Sequence, residues 1–328
     1  MQSDVRKKII DAFSNAFGSF VSGQEIADYV GCSRTAVWKH IEELRNEGYV
    51  VEAIRNKGYR IISAPGNVTS NEIQIGLQTT AFGQNIHYEE SVDSTQKIAN
   101  RLANEDAAEG TIVIAEEQTL GKGRLSRNWH SPKFTGIWMS LILRPNIPFH
   151  EAPQLTLLAA VAVAQAIEDV TDLTPEIKWP NDLLIKGKKV TGILTELQAE
   201  SDRIHSVIVG MGINVNQKLS DFPEELQNTA TSLFIESGKN ISRSALIQQI
   251  LLNMEKLYHT YLQHGFNPVK LLWESYAVSL GKELKATTVN ETIIGKALGI
   301  TDSGVLLLED KLGKIHHIYS ADVTIPYK

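Results

Sequence analysis

The sequence predicts an α+β chain made of three successive parts: a small helical part ending in a β-hairpin, a large mixed part and a short all-β part. Three observations predict it. Within residues 1–63, apolar residues at helical spacing give way to two short β-rich runs. From 68 to 278, strand-like apolar runs alternate irregularly with long helical patterns, the order of an α+β arrangement. From 279 to 328, only short β runs separated by turn residues remain. The length of 328 residues exceeds that of a usual single domain, and the 42% hydrophobic and 21% charged residues exclude a disordered or membrane-embedded class.

In the first part Val5, Ile9, Ile10, Phe13 and Phe17 share one helical face. Ser22-Gly23-Gln24-Glu25 is a capping box that opens a second helix running to Tyr29. Val30-Gly31-Cys32 makes a tight turn, and Ser33 caps a third helix with Val37, Ile41 and Leu44 on its buried face and Gly48 at its end. Tyr49–Ile54 and Tyr59–Ile62 flank Arg55-Asn56-Lys57-Gly58, the tip of a hairpin. This order resembles a winged helix-turn-helix domain. The resemblance implies that Ser33, Arg34, Thr35, Trp38 and Lys39 face a DNA major groove, with Arg55 and Lys57 on phosphates. Net charge permits this. The chain as a whole carries -6, whereas residues 1–65 hold nine Lys and Arg against eight Asp and Glu, leaving 23 against 30 elsewhere. A small protein-interaction module with solvated charges is the alternative, and the clustering of recognition-helix and wing cations weighs against it. Ser63-Ala64-Pro65-Gly66-Asn67 breaks both periodicities and reads as a linker.

The middle part shows strand patterns at Gly110–Gln118, Gly136–Leu143, Lys189–Leu197 and Ser206–Val215. Leu155, Leu158, Ala159, Ala162, Val163, Ala166, Ile167 and Val170 mark a deeply buried helix, and further helices are expected over 242–264 and 268–278. Beyond Gly281, turns at Asn290, Gly295, Asp302-Ser303-Gly304 and Lys311-Leu312-Gly313 separate the strands of a small β-barrel.

Chemistry concentrates in four places. Gly121-Lys122-Gly123-Arg124, with Arg127, puts three cations in a loop whose glycines let the backbone approach a ligand, suiting it to surround an anion. Its spacing is that of neither a Walker A loop nor a dinucleotide fingerprint. Lys178-Trp179-Pro180-Asn181-Asp182 has the composition of a turn at the edge of a cleft, with Trp179 read as packing. Lys189 leads Val190-Thr191-Gly192-Ile193-Leu194-Thr195-Glu196, where Gly192 inside a strand lets a ligand lie on the backbone. Gly210-Met211-Gly212-Ile213-Asn214-Val215-Asn216 closes a further apolar strand with two glycines and two amides.

Together with Ser94-Thr95-Gln96 and Gln118, these motifs stand in the order and spacing of biotin-protein ligases, over about residues 85–328. With the winged helix, the chain resembles the bifunctional members that also repress a biotin operon. The resemblance implies that biotin and Mg-ATP form biotinyl-5'-AMP, which serves as intermediate and corepressor. The biotinyl group then moves to a lysine of biotin carboxyl carrier protein or another biotin-dependent carboxylase. It also implies roles residue by residue. Arg124 and Lys189 are catalytic and touch the biotinyl carboxylate or the phosphate. Ser94, Thr95, Gln96, Gln118, Gly121, Lys122, Gly123 and Gly192 hold biotin with them. Arg124, Arg127, Trp129, Lys178, Asn181 and Asn214 take the nucleotide, with Trp129 near the adenine, and Asp182 takes magnesium. An SH3-like barrel is implied for 279–328. A carboxylate attacking a phosphate must overcome charge repulsion, which requires clustered cations. Because the substrate is itself the nucleophile, His130 is given no catalytic part. The family loop commonly reads Gly-Arg-Gly-Arg. Lys122 here keeps the charge and loses the planar fork, so catalysis is expected to persist with a weaker hold on the adenylate or a weaker ordering of this loop by ligand.

Two other functions compete: a lipoate- or octanoate-transferring ligase, and a biotin-sensing repressor without catalysis. A ligand-promoted homodimer matching a two-fold operator is also expected. The single cysteine, Cys32, the absence of a signal-peptide pattern and the lack of a bilayer-length apolar run place the chain in the cytoplasm, with no membrane partner.

Overall fold

The computed structural model describes residues 2–16, 19–46, 49–63, 68–200, 203–289 and 291–325. Phe17, Gly48, most of the expected linker (64–67) and the turn residue Asn290 lie outside the described residues.

Helices α1 (Gln2–Asn15), α2 (Gly23–Val30) and α3 (Arg34–Asn46) precede the hairpin β1 (Val50–Ile54) and β2 (Gly58–Ser63). The capping box is present: Glu25 N–H donates to Ser22 Oγ at 3.1 Å, and Ser22 N–H donates to the Glu25 carboxylate at 2.8 Å. Gly31 ends α2 in the left-handed region (φ 78°), and Ser33 Oγ accepts from Ala36 N–H at 3.2 Å. Ile9, Ile10, Phe13, Ile26, Val30, Val37, Ile41 and Leu44 form a core of their own, touched by Ile75 from the following part.

The following part contains α4 (Ser70–Gln74), β3 (Ile86–Glu89), α5 (Thr95–Asn104), β4 (Ile112–Ala115), β5 (Gly136–Leu143), α6 (Gln154–Val170), β6 (Glu176–Lys178), β7 (Asp182–Ile185), β8 (Lys188–Glu200), β9 (Arg203–Asn214), α7 (Leu233–Ser237), α8 (Arg243–His264) and α9 (Asn267–Tyr276). Its strands form one mixed sheet in the order β3-β4-β5-β9-β8-β7-β6, parallel between β3 and β4 and antiparallel elsewhere. Alternation divides the sheet into two faces. Ile137, Met139, Leu141, Val207, Val209 and Met211 face the core shared with α6, α8 and α9, while Val113, Ile142 and Ile208 meet Ala99 and Ala103 of α5.

The strand expected at 110–118 is shorter in the structure. Gly110 turns with φ 81°, and Glu116 leaves the sheet to form a buried ion pair with Arg243 at 2.6 Å and to accept Val68 N–H at 3.1 Å. Gln118 is reached only by single bridges to Val92 and Ser131, so an irregular stretch separates β4 from the basic loop. β8 and β9 both extend further than expected as a long hairpin, and β3, β6 and β7 had no expectation because they are only three or four residues long.

The last part is a five-stranded antiparallel sheet, β10 (Glu283–Thr287), β11 (Thr292–Ile300), β12 (Leu306–Glu309), β13 (Ile315–Ile318) and β14 (Asp322–Thr324), ordered β13-β12-β11-β10-β14. Its apolar side joins the central core through Leu284, Ala286, Ile300, Leu306 and Leu308. Trp179 Nε1 donates to Gly304 O at 3.2 Å and Gln154 Nε2 to Asp302 O at 2.8 Å, which places the sheet beside the β6–β7 turn and the start of α6. No described helix is long and apolar enough to cross a membrane.

Candidate active site and DNA-binding surface

The α5-side face of the sheet loses its side chains where β5, β8 and β9 meet. Past Ile208 along β9 and before Ile142 along β5, alternation brings Gly210, Gly212 and Ser140 to this face, and register sets Gly210 opposite Ser140 and Gly192 opposite Gly212. The bare backbone floors a cavity of about 670 Å³, a size suited to a small ligand. The closeness of Trp129 explains the glycines. A Cβ on Gly192 would lie 2.8 Å from the indole, and one on Gly212 would overlap its Nε1. Trp129 Nε1 is buried with no hydrogen-bond partner, and its ring lies 5.2 Å from Lys189 Nζ.

At one end, Ser94 and Thr95 open α5. The Ser94 side chain makes no cap hydrogen bond, so the simple capping role available to it is not used. Thr95 N–H donates to Gln118 Oε1 at 2.9 Å, and Gln96 packs behind on Gly210. At the other end are the cations. The loop doubles back on itself, with Gly123 N–H donating to Arg127 O at 2.7 Å and Trp129 N–H to Gly121 O at 2.9 Å. Arg124 donates to Asn181 Oδ1 at 3.2 Å and to Ser320 Oγ at 3.0 Å, while Arg127 pairs with Asp322. The basic loop is therefore tied both to the β6–β7 turn and to the C-terminal sheet.

Asn181 is locked by a 2.9 Å bond from its amide to Ile193 O, and Asn214 by one of 3.0 Å to Thr231 O. Lys178 ends β6 and Asp182 begins β7. Burial pushes the Lys178 ammonium below the ordinary lysine range, opposed by the nearby Asp182 carboxylate, and burial likewise lowers Arg124. Lys189 Nζ lies 2.7 Å from Asp182 Oδ1 without hydrogen-bond alignment, so that oxygen keeps acceptor capacity. One such carboxylate together with phosphate oxygens is the donor set that magnesium takes in nucleotide sites.

Ser94, Thr95, Gln96, Gln118, Lys122, Gly123, Arg124, Arg127, Trp129, Lys178, Asn181, Asp182, Lys189, Gly192 and Asn214 all line this cavity. Gly121 does not. It is buried at the base of the loop, where a Cβ would meet Trp129 O at 2.5 Å and Ser131 Oγ at 2.8 Å, so a glycine is needed there to close the loop. His130 lines the cavity with its Nε2 2.9 Å from Asp221 O. Sequence reasoning missed Ser140, Asp322, Thr324 and Ile325. Ser140 left a readable signal, a single hydroxyl inside the apolar run Gly136–Leu143, whereas nothing local marks Asp322.

On the N-terminal part Ser33, Arg34, Thr35, Trp38 and Lys39 are all exposed along the start of α3, Trp38 at 54%. Arg55 and Lys57 are exposed at the hairpin tip beside Asn56, whose φ of 68° makes the turn. Among the described residues none of these four cations is engaged in an ion pair, the state in which a phosphate-binding surface is kept.

The mixed sheet, its cavity and the attached small sheet define a protein ligase class: residues 88–214 match the biotin/lipoate A/B protein ligase family, and 279–325 match the biotin protein ligase C-terminal domain. Residues 5–60 match an HTH domain. The bifunctional ligase/repressor BirA of Bacillus subtilis is 58% identical, covering 99% of this chain and 100% of that protein. Its counterpart in Escherichia coli is 28% identical over 92% of this chain and 91% of that protein. Biotin protein ligase from Aquifex aeolicus, solved in complex with biotin and ATP, superposes with a TM-score of 0.65 at 33% identity, covering 75% of this chain and 100% of that chain. The chain belongs to the bifunctional ligase/repressor BirA family.

Proposed function

We infer that the chain is an ATP-dependent biotin-protein ligase and a biotin-responsive, DNA-binding repressor. One observation carries the reading: a single cavity joins an end lined by neutral hydrogen-bonding groups, Thr95 and Gln118, to an end lined by Lys178, Arg124 and Lys189. This matches a molecule with a neutral cyclic urea at one end and a carboxylate beside a nucleotide at the other.

A biotin carboxylate oxygen attacks the α-phosphorus of ATP, the bond to the bridging oxygen breaks, and pyrophosphate leaves. The amine of an acceptor lysine then attacks the acyl carbon, AMP departs with the bonding electrons, and the amine proton is released. Lys189 and Arg124 oppose the negative charge that gathers at the phosphate and acyl oxygens, with Lys122, Arg127 and Lys178 around them. Ser94, Thr95, Gln96, Gln118 and Gly192 hold biotin, and Trp129, Asn181 and Asn214 the nucleotide. Asp182 would hold a magnesium ion entering with ATP, which would supply neutralisation of phosphate charge.

The acceptors are biotin carboxyl carrier protein and other biotin-dependent carboxylases. Residues 1–63 bind operator DNA, 68–278 carry the chemistry, and 279–328 close on the basic loop. Biotinyl-5'-AMP promotes a homodimer that presents two winged helices to a two-fold operator. The working compartment is the cytoplasm, where ATP and DNA are both found.

Pyrophosphate exchange with biotin or lipoate tests the ligase, and a mobility shift with biotin and ATP tests the repressor. Biotin-dependent exchange and ligand-strengthened operator binding are expected; exchange driven by lipoate alone, or no transfer to any carrier, overturns the reading. Sedimentation with and without adenylate tests the dimer, and equal association in both states rejects it.

A further inference from the structure

The wall behind Thr95 is a chain of hydrogen bonds whose direction is set by the number of protons available. Gln96 Nε2 donates to Ile208 O at 3.2 Å and Leu194 O at 3.4 Å, which turns Oε1 toward Ser140. Ser140 Oγ donates to that Oε1 at 2.9 Å. A serine hydroxyl has one proton. The 2.8 Å contact between Ser140 Oγ and Thr95 Oγ1 is therefore a hydrogen bond only with Thr95 as donor. The competing contact from Thr95 Oγ1 to Gln118 Oε1 is longer, at 3.1 Å, and choosing it would leave the Thr95 and Ser140 oxygens 2.8 Å apart with no proton between them.

Thr95 thus spends its proton inward and shows the cavity only lone pairs. Gln118 is oriented from the other side. Its Nε2 donates to Ser131 Oγ at 3.1 Å, and Ser131 donates onward to Trp129 O at 3.0 Å, which leaves Oε1 as a second acceptor. Ser94, at the head of α5 with no cap bond, remains able to donate. Ser140 is fully buried, and burial keeps water from scrambling the chain.

We propose that Ser140 is a positioning residue for substrate specificity. By drawing the Thr95 proton into the wall, it makes this end of the cavity a pair of acceptors beside one donor, the complement of a cyclic urea with two N–H groups and one C=O. A ligand carrying an oxygen in place of either N–H brings lone pair against lone pair. The inference rests on the biotin reading above.

The test is calorimetric binding, on the full chain, of biotin and of the two cyclic carbamates in which one urea N–H is replaced by oxygen. Wild-type protein is expected to bind each carbamate at least about tenfold more weakly than biotin, because a buried acceptor is left unpaired. Ser140→Ala frees the Thr95 proton to turn toward the ligand or toward Gln118 Oε1, 3.1 Å away, and either choice removes one acceptor from this end of the cavity. Biotin affinity falls about tenfold, the preference over at least one of the two carbamates shrinks to about twofold, and the loss is read in KM for biotin rather than in kcat. Ser140→Cys, of similar size with a weak S–H donor, restores part of the preference. An unchanged preference in Ser140→Ala overturns the proposal. Should that variant fail to fold, carbamates that bind the wild type as tightly as biotin overturn it equally. Failure of wild-type protein to bind biotin at all overturns the ligase reading as well, which separates the two failures.

Discussion

Lys189 and Asp182 meet across the β7–β8 hairpin, Nζ to Oδ1 at 2.7 Å, because the pairing slips by one residue between Leu183 and Leu184. Asp182 pairs with Gly192 and Leu183 with Thr191, but Leu184 pairs with Lys189, leaving Val190 as the extra residue. In a regular ladder Lys189 would sit opposite Ile185 and point to the other face. The bulge aims the lysine into the cavity.

Lys189→Ala removes the cation nearest Asp182. Biotin-dependent pyrophosphate exchange is expected to fall by about 10²–10³, the scale of losing one preorganised charge partner of a transition state, with ligand-free DNA binding unchanged. A loss of exchange below about threefold would exclude the assigned role.

The Arg127–Asp322 pair joins the basic loop to β14, with the two side chains 65% and 40% exposed. Exposed pairs contribute at most about 1 kcal/mol, so Asp322→Ala should leave global stability nearly intact. Local opening is where the change should be read. Trypsin cleavage after Arg124 or Arg127 in ligand-free protein is expected to accelerate by roughly threefold. Equal cleavage of variant and wild type argues against a role for this pair in holding the loop.

Lys178 is held below the ordinary lysine range by burial, with Asp182 opposing. The unfolded chain therefore binds more protons than the folded one between the lowered and the ordinary pKa, so stability rises with pH through that window. Below it the penalty of the buried charge is fully present. Phosphate oxygens beside Lys178 favour the charged form, so ATP binding in the same alkaline window should take up protons, and Lys178→Met should abolish that uptake. Calorimetry in buffers of different ionisation enthalpy reads this directly; identical uptake in the variant would disprove it.

Arg55 and Lys57 are exposed on the wing. If both contact phosphates, replacing them with alanine lowers the slope of log K against log salt by about 1.8, roughly 0.9 per lost contact, while the preferred DNA sequence is retained. An unchanged slope removes the wing from the DNA interface.

Local patterns determined much of this protein. Ser22 and Glu25 specify a capping box from side-chain chemistry alone, Gly31 and Ser33 punctuate the helix-turn-helix, and Gly136–Leu143 forms a strand with the limits its apolar run suggests. The glycine floor of the cavity left a local signal, since Gly192 sits inside a strand, where a glycine marks close approach of something to the backbone; the polar lining was legible only through the resemblance to biotin-protein ligases. Gly121 shows the limit of that argument. It occupies a ligand-like motif, yet the group that comes close to it is Trp129 O of its own loop.

Tertiary structure alone decided three things, each because it depends on atoms far apart in sequence. The one-residue slip at Val190 chose the face on which Lys189 stands. Packing of the C-terminal sheet on the central core brought Asp322 to Arg127. The buried contacts of Gln96 with Ile208 and Leu194 set which way the Ser140 and Thr95 protons point. Residue types supplied the cations, the glycines and the hydroxyls; register, domain packing and the satisfaction of buried polar groups gave them their directions.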